Sequence, residues 1–280
     1  MLRLTVLGSG SRGNAIVVEG SHGRLLVDAG FGVRALARRL GAAGVAPASI
    51  DALVVTHEHT DHASGALDAV ARWGWRLAAT QGTLAALGVG ADQAGAASGI
   101  ASLGYVPSAI GGLRVEPIPV PHDASEPVAL VISDERSGFR VGIALDLGAV
   151  PETLVTAFDR LDLLVVEANH DRAMLHDGPY PDLLKRRIAG GRGHLSNDGA
   201  AALAARCAHR GLAGVVLAHL SETNNTPAQA MQTVGAALHR SGWRRRTLHA
   251  AAQGAPSGPY AAGPGPTASD GAQQLTLGLR

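Results

Sequence analysis

Val54-Val55-Thr56-His57-Glu58-His59-Thr60-Asp61-His62-Ala63-Ser64-Gly65 is the stretch that fixes how this chain is read. An apolar run ends, three histidines and an aspartate crowd into six residues, and small residues open the next element. Imidazole nitrogens and a carboxylate oxygen suit borderline divalent metals, and the His-x-His-x-Asp-His spacing lets one short loop serve two ions. The bland alternative is a solvated, chemically idle polar loop. Placement at the carboxyl end of a strand, where α/β proteins put their ligands, weighs against it.

Upstream, Leu2–Leu7, Ala15–Glu19 and Arg24–Asp28 read as strands, with a Gly-rich loop Gly8–Asn14 after the first. That loop leads into a strand and lacks the Lys-Ser/Thr ending of a P-loop, so a structural role is expected for it. Val33–Leu40 has helical periodicity, Asp51–Thr56 is an apolar strand, a helix begins at Ala66, and Arg76–Thr80 is a further strand. The Ala/Gly-rich segment from there to Gly104 carries no assignable pattern. Leu113–Val120 alternates as a strand whose prolines predict a sheet edge. Val128–Ser133, Arg140–Leu145, Asp162–Val166 and Gly214–Ala218 follow as strands, and Trp243–Ala250 is expected to be the terminal one. Helices are expected after Pro151, over the site between Arg172 and Arg192, from the capping run Ser196-Asn197-Asp198, and from Thr226-Pro227. Two similar halves of this order predict an α/β fold (α+β by another naming): an αββα sandwich of two packed mixed β-sheets with helices on both outer faces.

A chain of 280 residues is long enough for a large core, and a net charge of +1 gives no bulk basic field, so any nucleic-acid contact must use a local patch. Cys207, the single cysteine, excludes an internal disulfide. The first residues alternate like a strand, and no apolar run is long enough for a bilayer, so a cytoplasmic location without membrane contact is expected. The hydrolase domain is expected over residues 1–252, and residues 253–280, rich in Pro, Gly and Ala, as a flexible tail.

Apolar strands end repeatedly in polar residues: the His57 cluster, His122, Asp146, Glu167 and His219. Converging on one mouth, His57, His59 and His122 can hold one ion, Asp61, His62 and His219 a second, and Asp146 can bridge them. A water shared by two such ions is acidified toward hydroxide near neutral pH, which makes it the expected nucleophile. These nitrogen and oxygen ligands suit Zn²⁺, Mn²⁺ and Fe²⁺ alike. His22, His170, His176, His209, His239 and His249 read as surface or helix histidines.

The ligand pattern resembles the metallo-β-lactamase fold. The finer resemblance is to its WalJ (YycJ)-type members, carried by Leu7–Asn14, Glu167-Ala168-Asn169-His170-Asp171, Gly193-His194-Leu195-Ser196-Asn197 and His219–Asn225. It implies a metal-dependent phosphodiesterase or nuclease acting on nucleic acid, DNA before RNA, with exonucleolytic attack from a 5′ end. By likeness to the superfamily's nucleases, Glu167 and His194 would protonate the leaving oxygen, and Asp61, Glu167 and His194 would be the catalytic residues. The tail peptide Gln274-Leu275-Thr276-Leu277-Gly278-Leu279 resembles the segment by which bacterial replication and repair proteins dock on the DNA sliding clamp, with Gln274, Leu275, Leu277 and Leu279 as anchors. Two rivals stay open: a thioesterase or lactonase of the same fold, and a non-catalytic regulatory or clamp-tethered protein.

Overall fold

The computed structural model describes residues 1–95, 98–244 and 247–263. The first half contributes β1 (Arg3–Gly8), β2 (Ala15–Glu19), β3 (Arg24–Val27), α1 (Val33–Ala42), β4 (Ala52–Val54), α2 (Thr60–Ala63), α3 (Ala66–Trp73), β5 (Arg76–Thr80), α4 (Gln81–Ala86) and β6 (Ile100–Leu103). The second contributes β7 (Ser108–Ile110), β8 (Leu113–Pro119), β9 (Val128–Ser133), β10 (Arg140–Ala144), α5 (Glu152–Ala157), β11 (Leu163–Glu167), α6 (Arg172–Asp177), α7 (Asp182–Ala189), α8 (Asn197–Cys207), β12 (Gly214–Ala218), α9 (Pro227–Arg240), β13 (Thr247–Ala250) and β14 (Ser257–Ala261). They form two sheets, ordered β14-β1-β2-β3-β4-β5-β6 and β13-β12-β11-β10-β9-β8-β7. Each starts as an antiparallel meander and turns parallel, the first at β3 and the second at β10.

Three apolar layers make this the expected αββα sandwich. Leu25, Val27 and Val54 meet Leu130, Ile143 and Val165 between the sheets. Leu26, Leu53 and Leu77 pack outward on Leu36, Leu40 and Ala69 of α1 and α3. Leu164, Val166 and Leu217 pack outward on Phe158, Leu203 and Val234. Strands buried on both faces cannot alternate with polar residues, which is why β4, β11 and β12 read as continuous apolar runs. Each fully buried Val or Leu is worth roughly 1.5–3 kcal/mol, which lets the core hold strained backbone at the strand exits.

Three sequence expectations are corrected. The ordered chain does not stop at residue 252: β14 crosses back and pairs antiparallel with β1, and the Gln253 side chain is tied to the Arg12 and Gly13 backbone. Backbone pairing at an open edge needs no apolar composition, so the Gly- and Pro-bearing segment gave no strand signal, and Trp243–Ala250 does not contain the terminal strand. Nor is β8 an edge. β7 covers it from Leu113 to Val115, and Pro117 and Pro119 lie beyond that reach. Finally, the unassigned segment before Gly104 contains α4 and β6. The peptide Gln274–Leu279 lies outside the described residues. Among the described residues no helix is long and apolar enough to cross a membrane.

Candidate metal centre

The exits of β3, β4, β8, β10, β11 and β12 gather at one end of the sandwich. Three of them turn on a non-glycine residue with left-handed backbone, Asp28 (φ 61°), Asp146 (φ 53°) and His219 (φ 52°), and such residues cost about 1–3 kcal/mol each. The turn swings each polar side chain into the space between the sheets. The loop that follows β4 is fastened to its neighbours by Ala29 N–H to the His62 carbonyl and Asn14 N–H to the Asp61 carbonyl, both 2.7 Å. Gly30 permits this approach, since a Cβ there would stand 1.8 Å from the Asp61 carbonyl oxygen.

Three sets of ligand atoms result, two of them drawing on residues 57–62. His57, His59, His122 and Asp146 present donors within 4.8 Å of one another, and so do Asp61, His62, Asp146 and His219; the third set is Asp146, Glu167, His194 and His219. Asp146 joins the first two: its Oδ2 is 3.0 Å from His62 Nε2, 3.3 Å from His57 Nε2 and 3.7 Å from His122 Nε2. His219 Nε2 lies 3.3 Å from Asp61 Oδ2, while its Nδ1 touches Asp146 Oδ1. Asp146 is the residue that all three sets share.

The chemistry of these atoms fits cations. His57 Nε2 is shielded from water and makes no hydrogen bond among the described residues, and His219 Nδ1 and Asp146 Oδ1, equally shielded, have only each other within hydrogen-bonding reach. An unsatisfied buried group costs about 1–3 kcal/mol, so these converging ligand atoms mark a position for a cation. Charge agrees. Burial, helped by the His62 charge, pushes His57 down to about 4, leaving a neutral nitrogen lone pair. Burial also opposes charge on His62 and His219, but the Asp146 carboxylate outweighs it and lifts each to about 10. Asp146 itself is held well below the usual carboxylate range, against burial, by His219 and His62. The centre thus neutralises its carboxylate with protons that bound cations would displace.

Outer partners orient these rings. Asp28, which the sequence reading left without a role, accepts from the Thr56 backbone N–H at 2.8 Å and sits 2.7 Å from His62 Nδ1, leaving Nε2 to face Asp146. Nδ1 of His122 lies 2.9 Å from the Gly193 carbonyl in the same manner. The Gly-rich loop serves the site structurally: the Ser9 hydroxyl donates to Asn14 and accepts from the His219 N–H, and Asn14 Nδ2 lies 3.0 Å from His62 Nε2. Glu58 closes the rim by accepting from the N–H and hydroxyl of Ser125, each 2.8 Å. The structural role expected of the Gly-rich loop is the one it has, whereas Asp28 has as its only sequence signal a polar residue at the exit of β3.

Glu167 and His194 stand beside the second metal set. Glu167 is fully buried; one oxygen accepts from the Leu147 and Leu195 N–H groups, and the other is 2.7 Å from His194 Nδ1. Burial works against charge on His194, but the Glu167 carboxylate overrides it and raises the ring to about 11. His194 Nδ1 is thus committed to Glu167, and Nε2 is the nitrogen left to give a proton. α6 and α7 form the expected excursion over the cleft, which Tyr180, Leu184, Arg187 and Ile188 line opposite the histidines. His170 is not a surface residue, contrary to expectation: it is 2% exposed.

Comparison with known proteins agrees with this geometry. Residues 23–220 match the family described as the beta-lactamase superfamily domain. The chain is 32% identical over 240 residues to the exodeoxyribonuclease WalJ of Streptococcus pneumoniae serotype 2 (strain D39), covering 83% of this chain and 86% of that one. It is 31% identical over 247 residues to the exodeoxyribonuclease YycJ of Bacillus anthracis, covering 86% and 91%. Among solved structures, the metallo-β-lactamase-fold protein YhfI from Bacillus subtilis superposes with a TM-score of 0.67 at 16% identity, over 91% of this chain and 98% of that one.

Proposed function

This chain belongs to the beta-lactamase superfamily and is a metal-dependent hydrolase, and on that premise we propose that it cleaves phosphodiester bonds of nucleic acid, DNA before RNA, working from a 5′ end. The observation that carries this reading is the Glu167–His194 pair, 2.7 Å apart and set against the metal ligands through Asp146 Oδ1, 3.6 Å from His194 Nδ1. An alkoxide leaving group needs a proton, and this pair is built to deliver one. Exodeoxyribonuclease relatives at about 32% identity over most of the chain support the choice of DNA.

In this proposal His57, His59 and His122 hold one ion, Asp61, His62 and His219 hold the other, and Asp146 serves both. Bound divalent ions would acidify the attacking water and offset the charge that builds on the phosphate. Asp61, the ligand carboxylate most open to the cleft at 19% side-chain exposure, would accept a hydrogen bond from that water. Glu167 fixes the His194 ring and favours its protonated form. His194 Nε2 then gives its proton to the departing oxygen as the bond to phosphorus breaks. The peptide Gln274–Leu279 would tether the enzyme to the sliding clamp, which requires that deleting residues 274–280 abolish capture by the clamp in a pull-down.

The test uses 5′-labelled DNA and RNA strands with Mn²⁺ or Zn²⁺. His194→Ala is expected to lower DNA cleavage roughly 10²–10⁴-fold, with a smaller loss on bis-nitrophenyl phosphate, whose phenolate leaves without help. Cleavage of neither polymer, together with full activity of the variant on a thioester or lactone, would move the assignment to carbonyl chemistry.

A further inference from the structure

Helix α7 has two working faces. Leu184, Arg187 and Ile188, at i, i+3 and i+4, line the metal cleft, whereas Asp182, Lys185, Arg186 and Ala189 line a second cavity of about 550 Å³. Among the described residues, His194 is the one side chain that borders both. His194 therefore stands at the boundary of the two.

The second cavity combines apolar wall with basic side chains. Leu175, Leu195 and Ala189 supply the wall, and Arg172, Lys185 and Arg186 stand against two carboxylates, Asp182 on the lining and Asp198 behind Arg172. Arg172 is paired with Asp198 at 3.2 Å and Lys185 donates to the His176 carbonyl, but Arg186 has no ion pair or hydrogen bond with any described residue. The N-terminus of α8 borders the same space through Ser196 and Gly199, with the Gly199 N–H capped by the Ser196 hydroxyl and the Asn197 N–H on the His170 carbonyl. His170 also lines it. It is 2% exposed, its ring makes no hydrogen bond among the described residues, and its Nδ1 is wholly shielded. A buried imidazole without a partner is costly unless something polar arrives to meet it.

We propose that this cavity seats the 5′-terminal nucleotide of the strand, with its 5′-phosphate on Arg186 and Lys185 and its base against Leu175 and Leu195. The assignment rests on the nuclease reading of the metal cleft and gives that reading its polarity. In the step, a water oxygen bonds to phosphorus and sheds its proton to solvent. The P–O3′ bond breaks, and O3′ takes both the electron pair and the proton carried by His194. Whatever lies on the far side of His194 from the metals departs with O3′. A volume of about 550 Å³ has room for one nucleotide. On this proposal one nucleotide is released per cut, and its phosphate marks the end as 5′.

The experiment titrates the full-length chain, in EDTA, with deoxyadenosine 5′-monophosphate, deoxyadenosine 3′-monophosphate and deoxyadenosine by calorimetry. The 5′-monophosphate is expected to bind at least about tenfold tighter than the other two, because charge-assisted contacts to the phosphate are the strong ones. Lys185→Ala/Arg186→Ala, both surface substitutions, should erase that difference, whereas Arg187→Ala on the opposite face should keep it. No binding of the 5′-monophosphate, or equal binding by the double variant, overturns the proposal. A second arm compares 5′-phosphorylated linear, 5′-hydroxyl linear and circular single-stranded DNA with Mn²⁺. Equal cleavage of all three sinks the proposal and leaves the nuclease standing. Cleavage of none sinks the nuclease reading, and the titration alone then decides the cavity.

Discussion

Asp28 and Asp146 occupy matching places in the two halves. Each leaves the strand at which its sheet changes from antiparallel to parallel pairing, each is buried, and each has left-handed backbone, φ 61° and 53°. Their carboxylates do opposite things. Both oxygens of Asp28 are taken, by the Thr56 N–H and hydroxyl and by His62 Nδ1. Asp146 Oδ1 has no hydrogen bond although four histidines crowd its side chain within 3.7 Å, counting His57, His62, His122 and His194, with His219 in contact as a fifth. One backbone device, used twice, gives an orienting group in one sheet and an uncommitted ligand in the other. The asymmetry lies in what faces each residue, not in the residue.

The sharpest way to break this contrast is to remove each carboxylate in turn. Asp146→Ala takes a ligand atom from every metal-competent set, so elemental analysis of the purified variant should find bound divalent metal lost. Its activity should fall by more than the roughly 10–100-fold that losing an outer partner costs. Asp28→Asn keeps an acceptor for the Thr56 N–H but offers His62 Nδ1 a weaker partner. Metal affinity should drop roughly 10–100-fold, and excess metal should restore turnover. If the two variants lost metal equally, or if Asp28→Asn resisted rescue, the division of labour drawn here would be wrong.

The same contrast explains what the sequence could disclose. His57, His59, Asp61 and His62 are legible because their spacing along the chain is itself the site. His122, Asp146 and His219 announce themselves as polar residues ending apolar strands, and the register of β8, β10 and β12 does the rest. Asp28 has that same signature, yet its meaning is a single contact to His62, 34 positions on, which no local pattern encodes. The burial of His170 has no local signal, because it is a property of the packed chain around the residue and not of the residue. The strand over residues 257–261 has none either, because pairing with the free edge of β1 depends on backbone groups that every composition supplies.

A third carboxylate gives the smallest expected effect and the cleanest control. Asp134 sits at the other end of the hairpin that carries Asp146, just after β9, and is 2% exposed. It accepts from the Ser21 N–H and hydroxyl at 3.2 and 2.6 Å, the Arg136 N–H at 3.2 Å and the Ser137 hydroxyl at 2.8 Å. Burial pushes its pKa up, but the Ser21 and Ser137 hydroxyls and the two N–H groups prevail and bring it down to about 2. A carboxylate depressed by folding contributes stability that is complete above its unfolded value, near 4, and fades as pH falls toward 2. Asp134→Ala should therefore cost about 1.5–3 kcal/mol in denaturant unfolding at pH 7. The gap from wild type should narrow between pH 4 and pH 2, and metal content should stay unchanged throughout. Loss of metal from this variant would mean that the two ends of the sandwich are coupled, and that buried carboxylates here cannot be sorted by whether their oxygens are already engaged.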